Sequence, residues 1–199
     1  MKNGTEEINR AYPREIVAGE KKVTLRLMVP GDRDQILSFA RNLPPDDLLF
    51  LRLDITKDEA VDEWVANVEA GRTHTVLAEV DGTMAGYASV HHNDVLWTRH
   101  MGELRVLVSS EFRQLGLGRR LTDEVFMIAR ALGLNKLTVQ MTPDQKGARA
   151  TFEGLGFQAE ALLADYVVDH EGKPRDLLIM SLDAAGFSDV EHLTAAASS

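Results

Sequence analysis

Hydrophobic positions change their period several times along this chain, and each change predicts an element. From Val23 the run VTLRLMV alternates as a strand and stops at Pro30-Gly31. Asp32 followed by Gln35 then has the spacing of a capping box that opens a helix, and Thr56 with Glu59 repeats it. Behind the second box Val61, Trp64, Val65 and Val68 share one helical face, which Gly71 ends. The period then shortens: HTVLAEV and TMAGYASV flank Asp81-Gly82, a two-residue hairpin signal, and GELRVLV reads as a further strand. Leu117, Leu121, Val125, Ile128 and Leu132 return to helical spacing until Gly133. KLTVQM is a strand, Thr142-Pro143 starts another helix, and Gly156 stands where a left-handed cap is expected. ADYVVDH and RDLLIMSL around Glu171-Gly172 form a closing hairpin.

The predicted order is strand, two helices, three strands, helix, strand, helix and a strand pair, with no internal repeat. That order describes one mixed α/β (α+β) domain with an antiparallel front. Residues 1–20 are polar without a clean period and the chain closes on AAASS, so the expected domain covers 21–184 between tails at 1–20 and 185–199.

Composition narrows the function. At 199 residues, 44% hydrophobic and 27% charged, the chain can bury one sizeable core. Neither a membrane span nor a secretory signal is expected, since MKNGTEEINR has no apolar run behind its Lys, and a cytoplasmic location follows as the expectation. The absence of cysteine removes disulfides, thiolate metal sites and cysteine nucleophiles, and leaves the redox compartment open. A net charge of -9 argues against a general nucleic-acid binder and favours a cationic acceptor or partner.

The sharpest local feature is LVSSEFRQLGLGRRL, a strand running into a loop with Gly116 and Gly118 and then into a helix. Glycines let a ligand approach the backbone, and amides at a helix N-terminus point toward an anion such as a pyrophosphate. Arg113, Arg119 and Arg120 bracket the loop with positive charge. No Gly-Lys-Ser/Thr follows, and Leu121 occupies the third glycine position of a dinucleotide fingerprint, so both common phosphate motifs fail.

Arg113-Gln114-Leu115-Gly116-Leu117-Gly118 resembles the R/Q-x-x-G-x-G/A pyrophosphate loop of the GNAT acyltransferases, with Val108 before it at that family's spacing. Gln145, Ala148, Phe152 and Leu155-Gly156-Phe157 resemble the family's N-x-x-A-x-x-x-Y-x-x-x-G-F helix. The resemblance covers roughly Val23 to Leu182. It implies a GNAT-type mixed, mostly antiparallel sheet of about six to seven strands with about four helices. It also implies acetyl-CoA (coenzyme A) as co-substrate, with no metal. The strand ending at Val108 would splay from Lys136–Met141, pantetheine would bond to the backbone around Val106 and Val108, and the diphosphate would sit on the amides of Arg113 through Arg119, Gln114, Leu115, Gly116 and Gly118 among them. Gln145 and Phe152 would lie near the thioester.

Two positions depart from the pattern, because Gln145 stands where Asn is usual and Phe152 where a proton-donating Tyr is usual. Either another group protonates the thiolate, Tyr166 being the candidate, or the thiolate leaves without an acid. Gln145 equally reads as closing a capping box from Thr142, and Phe152 as plain core. Glu103, on the strand before the loop, is the candidate general base, with a strand carboxylate paired to Arg105 as the competing reading. The Val108 amide is the candidate oxyanion donor. His91, His92 and Asp94 fall close together like a site, but adjacent strand residues face opposite sides, so a shared metal is not expected and the segment reads as a surface loop. Asp46, Asp47 and Asp54 lie where the acceptor mouth is expected.

The function implied is an N-acetyltransferase in which an amine attacks acetyl-CoA directly in a ternary complex, its acceptor a small molecule or a protein. A non-catalytic acyl-CoA sensor of the same fold is the alternative, motivated by Phe152, and a generic nucleotide cradle a third reading. A homodimer through exposed edges is a plausible assembly, with no nucleic acid and no membrane as partner.

Overall fold

The computed structural model describes residues 2–48, 51, 53–169 and 171–184. The chain begins with helix α1 (Lys2–Arg10) and strands β1 (Arg14–Ala18) and β2 (Lys21–Leu27). Helices α2 (Arg33–Arg41), α3 (Pro45–Leu48) and α4 (Asp58–Glu69) lead to strands β3 (Thr73–Val80), β4 (Thr83–His91) and β5 (Met101–Val108). Then come α5 (Leu117–Ala131), β6 (Lys136–Met141), α6 (Lys146–Gly154), β7 (Gln158–Val168) and β8 (Pro174–Asp183). All eight strands form one sheet in the order β1-β2-β3-β4-β5-β6-β8-β7, antiparallel except where β5 meets β6.

The class and the order of the middle elements match the pattern of the sequence, while strand and helix numbers exceed it because of α1 and β1 at the N-terminus and the short α3 between the two expected helices. Residues 1–20, expected as a tail, hold α1 and an edge strand paired with β2 from Arg14↔Leu25 to Ala18↔Lys21. Ile8 is the buried anchor of α1, and Gly4 brings this helix so close to α5 that a Cβ would stand 2.2 Å from the Ala131 carbonyl oxygen. Glu124 of α5 is buried and accepts a hydrogen bond from the Tyr12 hydroxyl at 2.7 Å and another from Arg14. With so few apolar anchors in these elements, no period shows. The expected C-terminal tail at 185–199 lies outside the described residues.

Two cores form because the sheet is covered on both faces. One packs Leu117, Leu121, Val125 and Ile128 of α5, all at most 1% exposed, on Val23, Leu25, Val76 and Val90. The other packs Ile36 and Leu37 of α2 and Val61 and Trp64 of α4 on Leu77, Tyr87 and Leu107. Each such side chain contributes about 1.5–3 kcal/mol on burial. The β3–β4 turn has positive φ at both Asp81 (51°) and Gly82 (76°), the backbone a two-residue hairpin requires. Among the described residues no helix is long and apolar enough to cross a membrane.

Two of the expected capping boxes do other work. The Asp32 carboxylate accepts from Arg26 at 2.8 and 2.9 Å and from the Val29 amide, while Gln35 bonds Glu79, so the group ties β2, β3 and the start of α2 together. Thr56 bonds Asp54, and α4 opens at Lys57 with no side-chain cap.

Candidate active site

The ladder between β5 and β6 stops early. Met101, Gly102 and Glu103 pair with Lys136, Leu137 and Thr138, after which β5 runs on to Val108 and β6 to Met141 without pairing each other. On its other edge β5 pairs with β4 up to Gly86↔Val108, and the Ser109 amide donates to the Ala85 carbonyl at 2.9 Å. Backbone groups alternate sides along a strand, so those of Glu103, Arg105 and Leu107 face β4 and those of Val106 and Val108 face the gap. The expected splay is therefore present.

A 3-10 turn, Ser110–Leu115, carries the chain from β5 to α5, anchored by the buried Phe112 with the Lys21 ammonium 5.4 Å above its ring. Gly116 takes φ 68°, the left-handed conformation that turns the chain into the helix. No side chain caps α5 and no acidic residue stands in its first turn, so the first amides carry the positive end of a fifteen-residue helix dipole. Gly118 is informative for what it does not touch: a Cβ there would meet only Val108 Cγ2, at 3.9 Å. Nothing in the fold requires glycine at that helical position, and open space over it suits a ligand lying on the backbone. Arg113 does not point freely outward, since Nε donates to the Val108 carbonyl at 3.3 Å and a terminal nitrogen pairs with Asp47 of α3. Gln114 and Arg119 are exposed, and Leu115 packs toward Gly19.

The other face of β5 looks into a cavity of about 390 Å³ under α4 and the segment before it. Cross-strand register places Thr73, His91 and Glu103 in one row, Thr75, Ser89 and Arg105 in the next, and Leu77, Tyr87 and Leu107 in the third. Thr73 Oγ1 and His91 Nδ1 share a hydrogen bond of 2.9 Å, Thr75 and Ser89 share one of 2.8 Å, and the Trp64 indole donates to Thr75 at 3.1 Å. Tyr87 lies against Trp64 with ring centroids 4.7 Å apart, and burial pushes its phenol up to about 12 against the pull of the Arg105 charge. Glu103 accepts from Arg105 Nε at 3.0 Å and from a terminal nitrogen at 2.9 Å.

Several expected positions look different here. His91 is the last residue of β4 rather than loop, because its pairing continues to Glu103, and the His92 amide still bonds the Arg72 carbonyl. The two rings do separate: His91 meets Thr73, while His92 stacks on His74 at 5.8 Å. Burial, with a smaller contribution from His92, pushes His74 down to about 4. Among the described residues no cluster of three or more His, Asp or Glu is placed to hold a metal ion. Asp47 and Asp54 are engaged with Arg113 and Thr56, and the cavity wall comes from other residues; the Asp46 side chain lies outside the described set.

Gln145 stands at the N-cap position of α6 without a side-chain cap bond, and its side-chain oxygen accepts instead from the Thr142 amide at 3.1 Å, which closes the turn before the helix. Phe152 is buried edge-on to Phe157 at 5.1 Å. Tyr166 is 66% exposed near the irregular part of β7, beyond the last β6–β8 pair. The structure thus brings Val106, Val108, Gly116 and Gly118 around the gap, puts Glu103 on the opposite face of the same strand, and leaves Tyr166 on the surface. Arg72 and Tyr87 were not singled out from the sequence; Trp64 was read only as part of a helix face, and Arg105 only as a partner for Glu103, a pairing the structure contains.

The sequence model of the acetyltransferase (GNAT) family matches residues 38–157. The chain belongs to the GNAT acetyltransferase family. The match runs from α2 to Phe157 and takes in the uncapped helix, the splayed strands and the cavity. Solved GNAT structures share the fold. An acetyltransferase of the family from Streptococcus pneumoniae superposes with a TM-score of 0.71 at 22% identity, over 81% of this chain and 99% of that one. A Salmonella typhimurium protein solved with its cofactor acetyl-CoA gives 0.70 at 21%, over 81% and 94%. The ribosomal-protein-alanine N-acetyltransferase of Brucella melitensis gives 0.68 at 24%, over 80% and 98%.

Proposed function

We propose that this GNAT protein moves an acetyl group from acetyl-CoA to an amine by direct attack within a ternary complex. The observation that carries the reading is that β5 has two working faces: its free backbone edge borders a gap beside the uncapped N-terminus of α5, and its side chains floor a polar cavity. An acyl donor held along the edge and an amine held in the cavity meet at one strand, which is what proximity catalysis needs.

In this reading the amides of Leu117, Gly118 and Arg119, with Gln114 and Leu115 of the preceding turn, hold the diphosphate. Arg113 adds charge once its pairing to Asp47 is exchanged for phosphate. Val106 and Val108 bond pantetheine along the strand edge, and the Val108 amide is placed to donate to the thioester carbonyl oxygen as negative charge develops there. Bound acetyl-CoA supplies an activated acyl group; the chain supplies placement and a base. Glu103 is that base, directly or through water, and takes the proton the amine must lose. Gln145 shapes the turn between β6 and α6 by accepting from the Thr142 amide.

The sensor reading keeps one support, the buried Phe152, which gives the thiolate no acid at that position. Calorimetric titration with acetyl-CoA, followed by amines while free thiol is monitored, separates the two. Micromolar binding with amine-dependent thiol release is expected; tight binding with no release from any amine favours the sensor, and no binding refutes both.

A further inference from the structure

The charge of the cavity runs against that of the protein. The whole chain is at -9, yet among the described residues of the cavity wall Arg72 and Arg105 stand against one carboxylate, Glu63, while Glu103, paired to Arg105, lies beside that wall. Arg105 stands on the floor with its side chain 24% exposed, close enough to Tyr87 for its charge to act on the phenol. Its two bonds to Glu103 both end on Oε1, so the pair is not the two-oxygen fork of a closed Arg–carboxylate bridge. The guanidinium has five N–H groups, and its second terminal nitrogen makes no hydrogen bond among the described residues. Arg72 is held at the mouth by Nε donating to Asn67 at 2.9 Å.

From this arrangement we infer that the acceptor is a small α-amino acid-like zwitterion, its carboxylate bound by Arg105 with help from Arg72 and its amine directed to Glu103. Glu103 and Arg105 are two residues apart on one face of β5, and side by side they present the charges that an ammonium and a carboxylate on one carbon require. Leu51, Ile55 and Trp64 supply apolar wall for the carbon skeleton. A volume of about 390 Å³ is in the range of small-molecule sites. The net charge taken alone pointed to a cationic acceptor; Arg72 and Arg105 in the cavity wall add a place for an anion.

This inference rests on the transferase reading, and its test separates the two. The full chain saturated with coenzyme A is titrated with the proteinogenic amino acids, with their primary amides, which keep the amine and lose the anion, and with spermidine; thiol release from acetyl-CoA is recorded in parallel. At least one amino acid is expected to bind about tenfold or more tighter than its amide and than spermidine. Arg105→Gln is expected to erase that preference with acetyl-CoA affinity unchanged, which shows the variant folded, and Arg72→Gln to reduce it by a smaller factor. Equal or tighter binding of amides or spermidine, absence of amino acid binding, or a preference that survives Arg105→Gln overturns the inference. Amino acid binding with the expected preference but without thiol release leaves the anion site standing and removes the transferase; thiol release with amides or spermidine as efficient as with the acids does the reverse.

Discussion

The two faces of β5 solve recognition in different ways. In the proposed reading the contacts at the α5 end are backbone: strand edge at Val106 and Val108, a left-handed Gly116, and first-turn amides over a Gly118 that the fold itself does not need. At the cavity the wall is made of side chains delivered by α4, β3, β4, β5 and the segment before α4, with Trp64, Tyr87 and Arg105 among them and Glu103 paired to Arg105 beside it. Backbone recognition of this kind needs only a short contiguous stretch of sequence. Side-chain recognition can change from one acceptor to another without disturbing it.

That difference predicts separable effects. The largest is expected for Glu103→Gln, which keeps the shape of the Arg105 contact and removes the base: kcat falls by roughly a thousandfold while acetyl-CoA affinity stays within twofold. Steady-state kinetics beside calorimetry measure both. An unchanged rate and pH profile would return Glu103 to the role of a strand carboxylate that only positions Arg105.

Next comes Gly118→Leu. A Cβ has room there in the free protein and leucine improves helix propensity, so thermal stability is expected to hold or rise slightly. Acetyl-CoA affinity is expected to drop about 100-fold, near 2.7 kcal/mol, because the side chain fills the space over the first-turn amides. Full affinity in a stable variant would move the diphosphate away from this loop.

How much of this was readable beforehand follows the same division. The glycine loop, the Asp81-Gly82 turn and the α5 stripe were legible because each is a contiguous pattern whose period or turn chemistry admits few structures. The splay of β5 from β6 came through family resemblance; no residue in KLTVQM announces that pairing ends at Thr138. The cavity stayed hidden because its wall combines residues from Leu51 to Arg105, and Trp64 and Tyr87 look in sequence like ordinary core. Capping was misjudged where a better partner existed: Asp32 and Gln35 had the spacing of a box, but the Arg26 guanidinium offers charge-assisted bonds that an amide does not. The N-terminal elements were lost because Ile8, Tyr12 and Ala18 are too few to set a period.

Acid should distinguish the two regions. His74 lies behind the cavity wall with Nδ1 buried and unpartnered among the described residues, and its folded value near 4 is below the ordinary 6.5. The unfolded chain therefore takes up the proton first. Stability is whole above about pH 6.5 and is lost as pH falls toward 4, by roughly 2 kcal/mol after allowance for partial solvent access. Urea midpoints at pH 7.5, 5.5 and 4.5 measure it, and His74→Phe, which keeps a ring against His92, should flatten the curve over that window. An identical slope in the variant would place the acid sensitivity elsewhere.

The smallest effect sharpens the backbone side. Gly116 has φ 68° and nothing within 4 Å of an added Cβ, so alanine there pays only for the left-handed conformation, about 1 kcal/mol in denaturant unfolding. Asparagine, which tolerates that conformation, should cost less than alanine. In calorimetry the small Cβ of alanine should weaken acetyl-CoA binding far less than the leucine at Gly118, because the amides that bind begin one residue later. If Gly116→Ala instead lost affinity as severely as Gly118→Leu, the anion would be held by the turn before the helix rather than by its first turn, and the helix dipole would drop out of the account.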